Sequence, residues 1–103
     1  MPEGDTRYLA LLDELKALHL KKTADYGNGE DPLANLRASE RFGVPAWIGA
    51  AIRCNDKMIR VQSFVRNGRL ENESIEDSLM DGAAYYLLAL VLYREGKEKK
   101  GAQ

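Results

Sequence analysis

Hydrophobic residues recur at intervals of three and four in four separate segments of the chain, and this spacing predicts four helices. The first is predicted from about Asp5, its N-cap, to Lys22, before the turn residues that follow Tyr26. The second is predicted to begin at Asp31-Pro32 and to end at Gly43. No segment alternates over more than a few residues, so the predicted fold class is all-α. On the second helix, the side chains expected to face the protein interior are those of Leu33, Leu36 and Phe42.

The third predicted helix runs from Pro45 to about Arg66 and is closed by Asn67-Gly68. The fourth opens at Asn72 or Ser74, ends at Gly96, and is apolar on every side in its last three turns. A bundle of this size has few places to bury such a helix completely, so we expect a homodimer or homotetramer through its apolar face. The alternative is a monomeric core that wraps this helix. The inward stripe of the third helix is predicted to be Trp47, Ala51, Cys54, Met58, Val61 and Val65.

A chain of 103 residues predicts a single helical domain, with a core over about 5–96 and a disordered tail over 97–103. The longest apolar stretch, 82–93, is shorter than the roughly 20 residues of a membrane span. One cysteine excludes an intrachain disulfide, and no secretory signal is evident, so a cytoplasmic location is expected. A formal net charge of −1 argues against direct DNA binding.

Three carboxylates mark the start of the fourth helix, at Glu73, Asp77 and Asp81. Their i, i+4, i+8 spacing places them on one side of the helix, where like charges repel. A hard cation such as Mg²⁺ would reverse that repulsion. A structural alternative is a capping box from Ser74 to Asp77. Asp81 lies too far into the helix to serve as a cap.

The third helix carries four charged residues that could complete such a site: Arg53, Asp56, Lys57 and Arg60. Structurally, Asp56 and Arg60 could form no more than an exposed i, i+4 ion pair. Functionally, a carboxylate among cations suits a metal ion and a polyphosphate together.

The end of the first helix also concentrates polar and aromatic groups. Lys22 is explained by the helix dipole alone, whereas Asp25 and Tyr26 are less expected in a turn. His19 and Cys54 lie near apolar stripes and are interpreted as structural residues.

Five segments together resemble the phage and bacterial "nucleotide modification associated" family, which is similar to the MazG-like all-α nucleoside triphosphate pyrophosphohydrolases. The resemblance covers about 17–93. The segments are Lys21-Lys-Thr-Ala-Asp-Tyr-Gly27, Asp31-Pro-Leu-Ala-Asn-Leu-Arg37, Arg53-Cys-Asn-Asp-Lys-Met-Ile-Arg60, Glu73-Ser74 and Asp77-Ser-Leu-Met-Asp81.

The resemblance implies an oligomeric four-helix core that binds Mg²⁺ and splits a nucleoside triphosphate into a monophosphate and pyrophosphate. Asp81 matches the last residue of the family's ExxD motif, with Ser78 in place of its Glu. Ile52, Arg53 and Asp56 stand where an EExxE motif has three glutamates. The implied metal ligands are Asp56, Asp77 and Asp81, with Asp56, Glu73 and Asp77 as catalytic residues. The implied nucleotide-binding residues are Lys22, Asp25, Tyr26, Arg53, Lys57 and Arg60, and Trp47 is a further stacking candidate.

Three functions therefore stay open at this point. The first is a Mg²⁺-dependent hydrolase of canonical or modified dNTPs in phage nucleotide metabolism. The second is a noncatalytic nucleotide-binding module that uses the same pocket. It is favoured because the positions of the EExxE and ExxD motifs hold fewer acidic residues here than in the family. The third is a helical interaction protein that dimerises through its fourth helix.

Overall fold

The structure, a computed structural model, describes the backbone of residues 3–26 and 31–101 and the side chains of residues 3–24 and 31–100. Four helical elements and no strand occur in these ranges, which confirms the all-α prediction. The chain divides into two compact units, Met1–Asn35 and Leu36–Gln103. The elements are α1 (Thr6–Tyr26), a 3₁₀ helix (Leu36–Phe42), α2 (Ala46–Asn67) and α3 (Ile75–Gly101).

The first unit contains α1, whose predicted N-cap is confirmed. Asp5 Oδ1 accepts hydrogen bonds from the backbone N–H groups of Arg7 at 2.8 Å and Tyr8 at 3.3 Å. The hydrogen bond from the Arg7 side chain, followed by these two backbone bonds, lowers the pKa of Asp5 to about 2. The helix continues to Tyr26 instead of ending near Lys22. The predicted turn over 27–29 lies outside the described residues.

The predicted second helix is present as a 3₁₀ helix, and it begins at Leu36, later than the predicted start at Asp31-Pro32. Asp31 does start a turn, since its Oδ1 accepts the backbone N–H of Leu33 at 3.0 Å, but the regular element that follows is a 3₁₀ helix. It ends where the N–H of Gly43, in the left-handed conformation, donates to the carbonyl of Glu40 at 3.1 Å. A segment this short gains too little from α-helical bonding to propagate. Phe42 is exposed, contrary to the inward position predicted for it.

The second unit is built on an antiparallel pair of helices, α2 and α3. The ring of Trp47, at the start of α2, meets Tyr93 edge to face at 5.4 Å, near the far end of α3. Farther along α2, Cys54 Sγ lies 3.7 Å from the carbonyl oxygen of Gly82, which is nearer the start of α3. As predicted, α2 is closed after Asn67 by Gly68, whose φ of 77° places it in the left-handed region.

The face of α2 that packs on α3 differs from the predicted stripe. Ala50 and Cys54 are buried, whereas Met58 and Val65, which were expected inside, are exposed. Small side chains let two helices approach closely, so the seam follows Ala50 and Cys54 instead of the larger apolar residues. Lys57, one turn further along this seam, therefore belongs to the face that meets α3 and not to the outer polar face.

Helix α3 extends beyond its predicted end at Gly96 and continues to Gly101. Residues 97–101 of the predicted disordered tail are thus helical, and residues 102–103 lie outside the described part. Within the described ranges, no helix combines the length and apolarity needed to cross a membrane.

The 3₁₀ helix approaches α2 closely at Gly49. A Cβ atom at this position would lie 2.5 Å from Ser39 Oγ and 2.8 Å from Ser39 Cβ. The Ser39 hydroxyl is held in place because it donates to the carbonyl of Val44 at 3.1 Å. We therefore expect Gly49→Ala to lower the free energy of unfolding by about 1–3 kcal/mol, despite the better helix propensity of alanine. Chemical denaturation measures the change.

A double-mutant cycle separates this clash from other effects of the methyl group. Ser39→Gly removes both atoms that the new Cβ would meet, so Gly49→Ala should be much less costly in the Ser39→Gly background. An equal loss of stability in both backgrounds would show that Ser39 is not the obstacle.

Candidate functional site

Four charged side chains meet where the second half of α2 faces the start of α3. Lys57 Nζ lies 3.1 Å from Glu73 Oε1, 3.4 Å from Glu73 Oε2 and 3.3 Å from Asp81 Oδ2. Arg60 Nε lies 3.1 Å from Glu73 Oε2. We call Lys57, Arg60, Glu73 and Asp81 the charged cluster.

The helical pair explains why these residues meet. Lys57 and Arg60 are three residues apart on α2, so they project from neighbouring turns of one face. Asp81 lies in the second turn of α3, while Glu73 immediately precedes Ser74, the residue that caps this helix. The Ser74 hydroxyl accepts the backbone N–H of Asp77 at 3.0 Å, so half of the predicted capping box is present. Because α2 and α3 are antiparallel, the start of α3 lies beside the second half of α2. Glu73 therefore meets Lys57 and Arg60, and Asp81 meets Lys57.

The charged cluster is partly shielded from solvent. The side chains of Glu73, Lys57 and Asp81 are 15%, 18% and 22% exposed, whereas Arg60 is 41% exposed. Burial alone would lower the pKa of Lys57, but hydrogen bonds and charge from Glu73 and Asp81 outweigh burial and raise it. Lys57 is therefore an ammonium ion at neutral pH, and two positive charges balance two negative ones.

Three of the site residues predicted on α2 and α3 are not part of the charged cluster. Arg53, Asp56 and Asp77 are exposed. The ion pair considered between Asp56 and Arg60 does not form, because Arg60 turns to Glu73 across the helical pair. A partner in a protected position gives a stronger interaction than an exposed one along the same helix.

The carboxylates predicted to hold Mg²⁺ are not gathered into one site. In the described part of the chain, no three side chains of His, Cys, Asp or Glu lie close enough together to hold a metal ion. Two carboxylates do converge, those of Glu73 and Asp81, and both contact Lys57. Two carboxylates suffice for a Mg²⁺ ion that arrives on a triphosphate, because phosphate oxygens and water complete its shell.

The nucleotide-binding residues predicted at the end of α1 belong to the first unit. Lys22 is exposed on this helix. The side chains of Asp25 and Tyr26 lie outside the described residues. In the second unit, the proposed stacking residue Trp47 packs against Tyr93.

Two further polar groups lie buried in the seam between α2 and α3. Burial raises the pKa of the Cys54 thiol, in keeping with its predicted structural role. Ser78 is fully buried, and its Oγ has no hydrogen-bond partner within the described structure. Ser78 precedes Gly82 by one helical turn, and a Cβ on Gly82 would lie 3.7 Å from Lys57 Cβ. The Ser78 hydroxyl, which has no hydrogen-bond partner within the described structure, is therefore on the α3 face that packs near the charged cluster.

All four members of the charged cluster are predicted from the sequence, as is the role of the third helix in completing the site, but the individual ion pairs are not. The charged residues of the third helix were predicted to act together, but Lys57 faces α3 whereas Arg53 and Asp56 are exposed. The three-residue step from Cys54 to Lys57 was the available signal, since it continues the buried face.

Comparison with known proteins found no match to the chain among protein-family models, curated proteins or solved structures.

Proposed function

We propose that the protein binds a nucleoside triphosphate with its Mg²⁺ ion at the charged cluster and splits it into a monophosphate and pyrophosphate. The observation that carries this proposal is the convergence of Lys57 and Arg60 with Glu73 and Asp81. The sequence resemblance to the nucleotide modification associated and MazG-like families supports the same substrate class, which includes canonical and modified dNTPs.

The charges of the cluster match the two parts of this ligand. Lys57 and Arg60 can exchange carboxylate partners for phosphate oxygens, which accept similar charge-assisted hydrogen bonds. Glu73 and Asp81 are then free to contact the Mg²⁺ ion that the triphosphate carries. Opposite charges remain paired throughout this exchange, so no isolated charge is left in a partly buried position.

Hydrolysis requires attack of water on the α-phosphorus and cleavage of the bond to the bridging oxygen that leaves with pyrophosphate. The protein's part is to position and to neutralise charge. Glu73 is our candidate to accept the proton of the attacking water, because it contacts both of the cations that would hold the triphosphate. Lys57 and Arg60 neutralise charge on the departing pyrophosphate.

A noncatalytic nucleotide-binding module is the second candidate function. It is favoured by the exposed positions of Asp56 and Asp77, which leave two carboxylates instead of the predicted larger set. Such a module would hold the same ligand through the same residues and release it unchanged.

A panel of canonical and modified dNTPs with Mg²⁺ separates the candidates. The hydrolase proposal expects pyrophosphate release from at least one member of the panel. A higher melting temperature with a nucleotide but no pyrophosphate would establish the binding module. If no nucleotide is cleaved or raises the melting temperature, both candidates fail and the helical interaction protein is favoured.

We also propose that the protein forms a homodimer or homotetramer and acts in the cytoplasm, in the setting of phage nucleotide metabolism. Support for self-association comes from the outer face of α3, where several large apolar side chains are exposed. Light scattering on the sample used for the nucleotide panel gives the subunit count. The exposed apolar side chains are those of Leu79, Tyr86, Leu87, Leu90, Val91 and Tyr93.

A further inference from the structure

Lys57 occupies the position between two carboxylates that a divalent cation would need. Its ammonium group lies within 3.4 Å of both Glu73 oxygens and 3.3 Å from Asp81 Oδ2. The side chain is only 18% exposed, so water screens these contacts less than it screens a surface ion pair. Lys57 is thus the internal counterion of Glu73 and Asp81.

We infer that Lys57 keeps free divalent cations off Glu73 and Asp81, so that the site accepts a metal ion only together with a polyphosphate. This inference rests on the proposed function for the identity of the ligand. In addition, Lys57 couples the binding of the metal ion to the binding of the anion.

The electrostatic reason is that either component alone leaves like charges in contact. A free divalent cation at Glu73 and Asp81 would lie beside the Lys57 ammonium, and the two positive charges would repel in a partly dry site. A metal-free polyphosphate at Lys57 and Arg60 would face the two carboxylates in the same way. When both bind, the Lys57 ammonium contacts phosphate oxygens instead of the carboxylates, and the carboxylates contact the metal ion. Each charge then again has a partner of opposite sign.

Ser78 gives an independent sign that this seam accommodates another polar group. Its hydroxyl is fully buried and has no hydrogen-bond partner within the described structure. A buried hydroxyl without a partner is unfavourable, so a ligand or its water nearby would relieve the cost. Ser78 lies one turn before Gly82, so its hydroxyl is on the face of α3 that packs against α2 near Lys57.

Calorimetric titrations of the full chain test the coupling with three probes: MnCl₂ alone, tripolyphosphate with EDTA, and the preformed Mn²⁺–tripolyphosphate complex. For the unaltered protein, we expect the complex to bind at least about tenfold more tightly than either component. Lys57→Gln should bind Mn²⁺ alone at least about tenfold more tightly than the unaltered protein and should bind the complex more weakly.

Two control variants show that the charge of Lys57 is responsible. Lys57→Arg keeps the positive charge and should still exclude free Mn²⁺, which a merely structural effect of replacing Lys57 would not predict. Lys97→Gln removes one positive charge from an exposed position of α3 and should leave all three titrations unchanged. Melting temperatures of the variants verify that each is folded.

The inference is overturned if Lys57→Gln binds free Mn²⁺ no more tightly than the unaltered protein, or if Lys57→Arg gains affinity as Lys57→Gln does. The proposed function fails in a different way. If the unaltered protein does not bind the complex while Lys57→Gln gains affinity for Mn²⁺, the triphosphate ligand is wrong and the exclusion of free cations by Lys57 stands.

Discussion

Replacing Asp81 with Asn is expected to lower the rate of pyrophosphate release by at least about 100-fold, the loss typical for removing one group that stabilises developing charge. Asp81 combines an inward position on α3 with a carboxylate 3.3 Å from Lys57. The amide keeps the shape of the side chain but loses the negative charge that a metal–triphosphate requires. The measurement is steady-state release of pyrophosphate from the best dNTP of the panel.

Glu76→Gln is the matched control for Asp81→Asn. Glu76 is another carboxylate near the start of α3, but it is exposed and outside the charged cluster. The same change of carboxylate to amide there should leave the rate within about twofold, since an exposed charge contributes little. Asp81→Asn should also stay folded, because Lys57 keeps its contacts with Glu73. Full activity in folded Asp81→Asn would refute the hydrolase proposal.

Asp77→Asn and Asp56→Asn distinguish the charged cluster from the metal ligands implied by the sequence resemblance. Both side chains are exposed, so the structure predicts a smaller loss for each than for Asp81→Asn. If either variant loses as much activity as Asp81→Asn, the originally predicted set of ligands is favoured over the charged cluster.

The local signals of the sequence predicted the helices well where they concern caps and turns. Asp5, Gly68 and Ser74 act at the helix ends as predicted, because capping depends on atoms within a few residues. The second helix was placed too early, at Asp31, because a turn and a helix can start with the same residues; the 3₁₀ helix begins at Leu36. The end of α3 was placed too early, because Gly96 does not interrupt the helix.

The site depends on contacts between helices, which helical periodicity alone does not reveal. Periodicity placed Glu73 and Asp81 on one side of the predicted fourth helix but could not show that Lys57 lies against both. The buried face of α2 follows the small residues Ala50 and Cys54, and this choice of face brings Lys57 inward. Asp56, one residue earlier, is thereby left outside.

The same packing makes Leu92 the most sensitive position for stability. It is 3% exposed and is the one large aliphatic side chain almost completely enclosed within the described residues, where its buried apolar companions are Ala50, Cys54 and Ala89. Leu92→Ala would remove most of an enclosed side chain and leave a cavity. We therefore expect a loss of about 2–5 kcal/mol in the free energy of unfolding, measured by chemical denaturation.

A loss of this size is a large share of the stability of any small domain, which is about 5–15 kcal/mol in total. Leu79→Ala is the matched control on the same helix, because Leu79 is 58% exposed. At a protein concentration low enough for the chain to be monomeric, the same truncation there should change stability by no more than about 0.5 kcal/mol, since no enclosed cavity forms. Equal losses for the two variants would contradict the packing described for α3 and would require that Leu79 also be covered. A loss for Leu79→Ala that grows with protein concentration would identify that cover as a second copy of the chain, because dissociation of an oligomer depends on concentration.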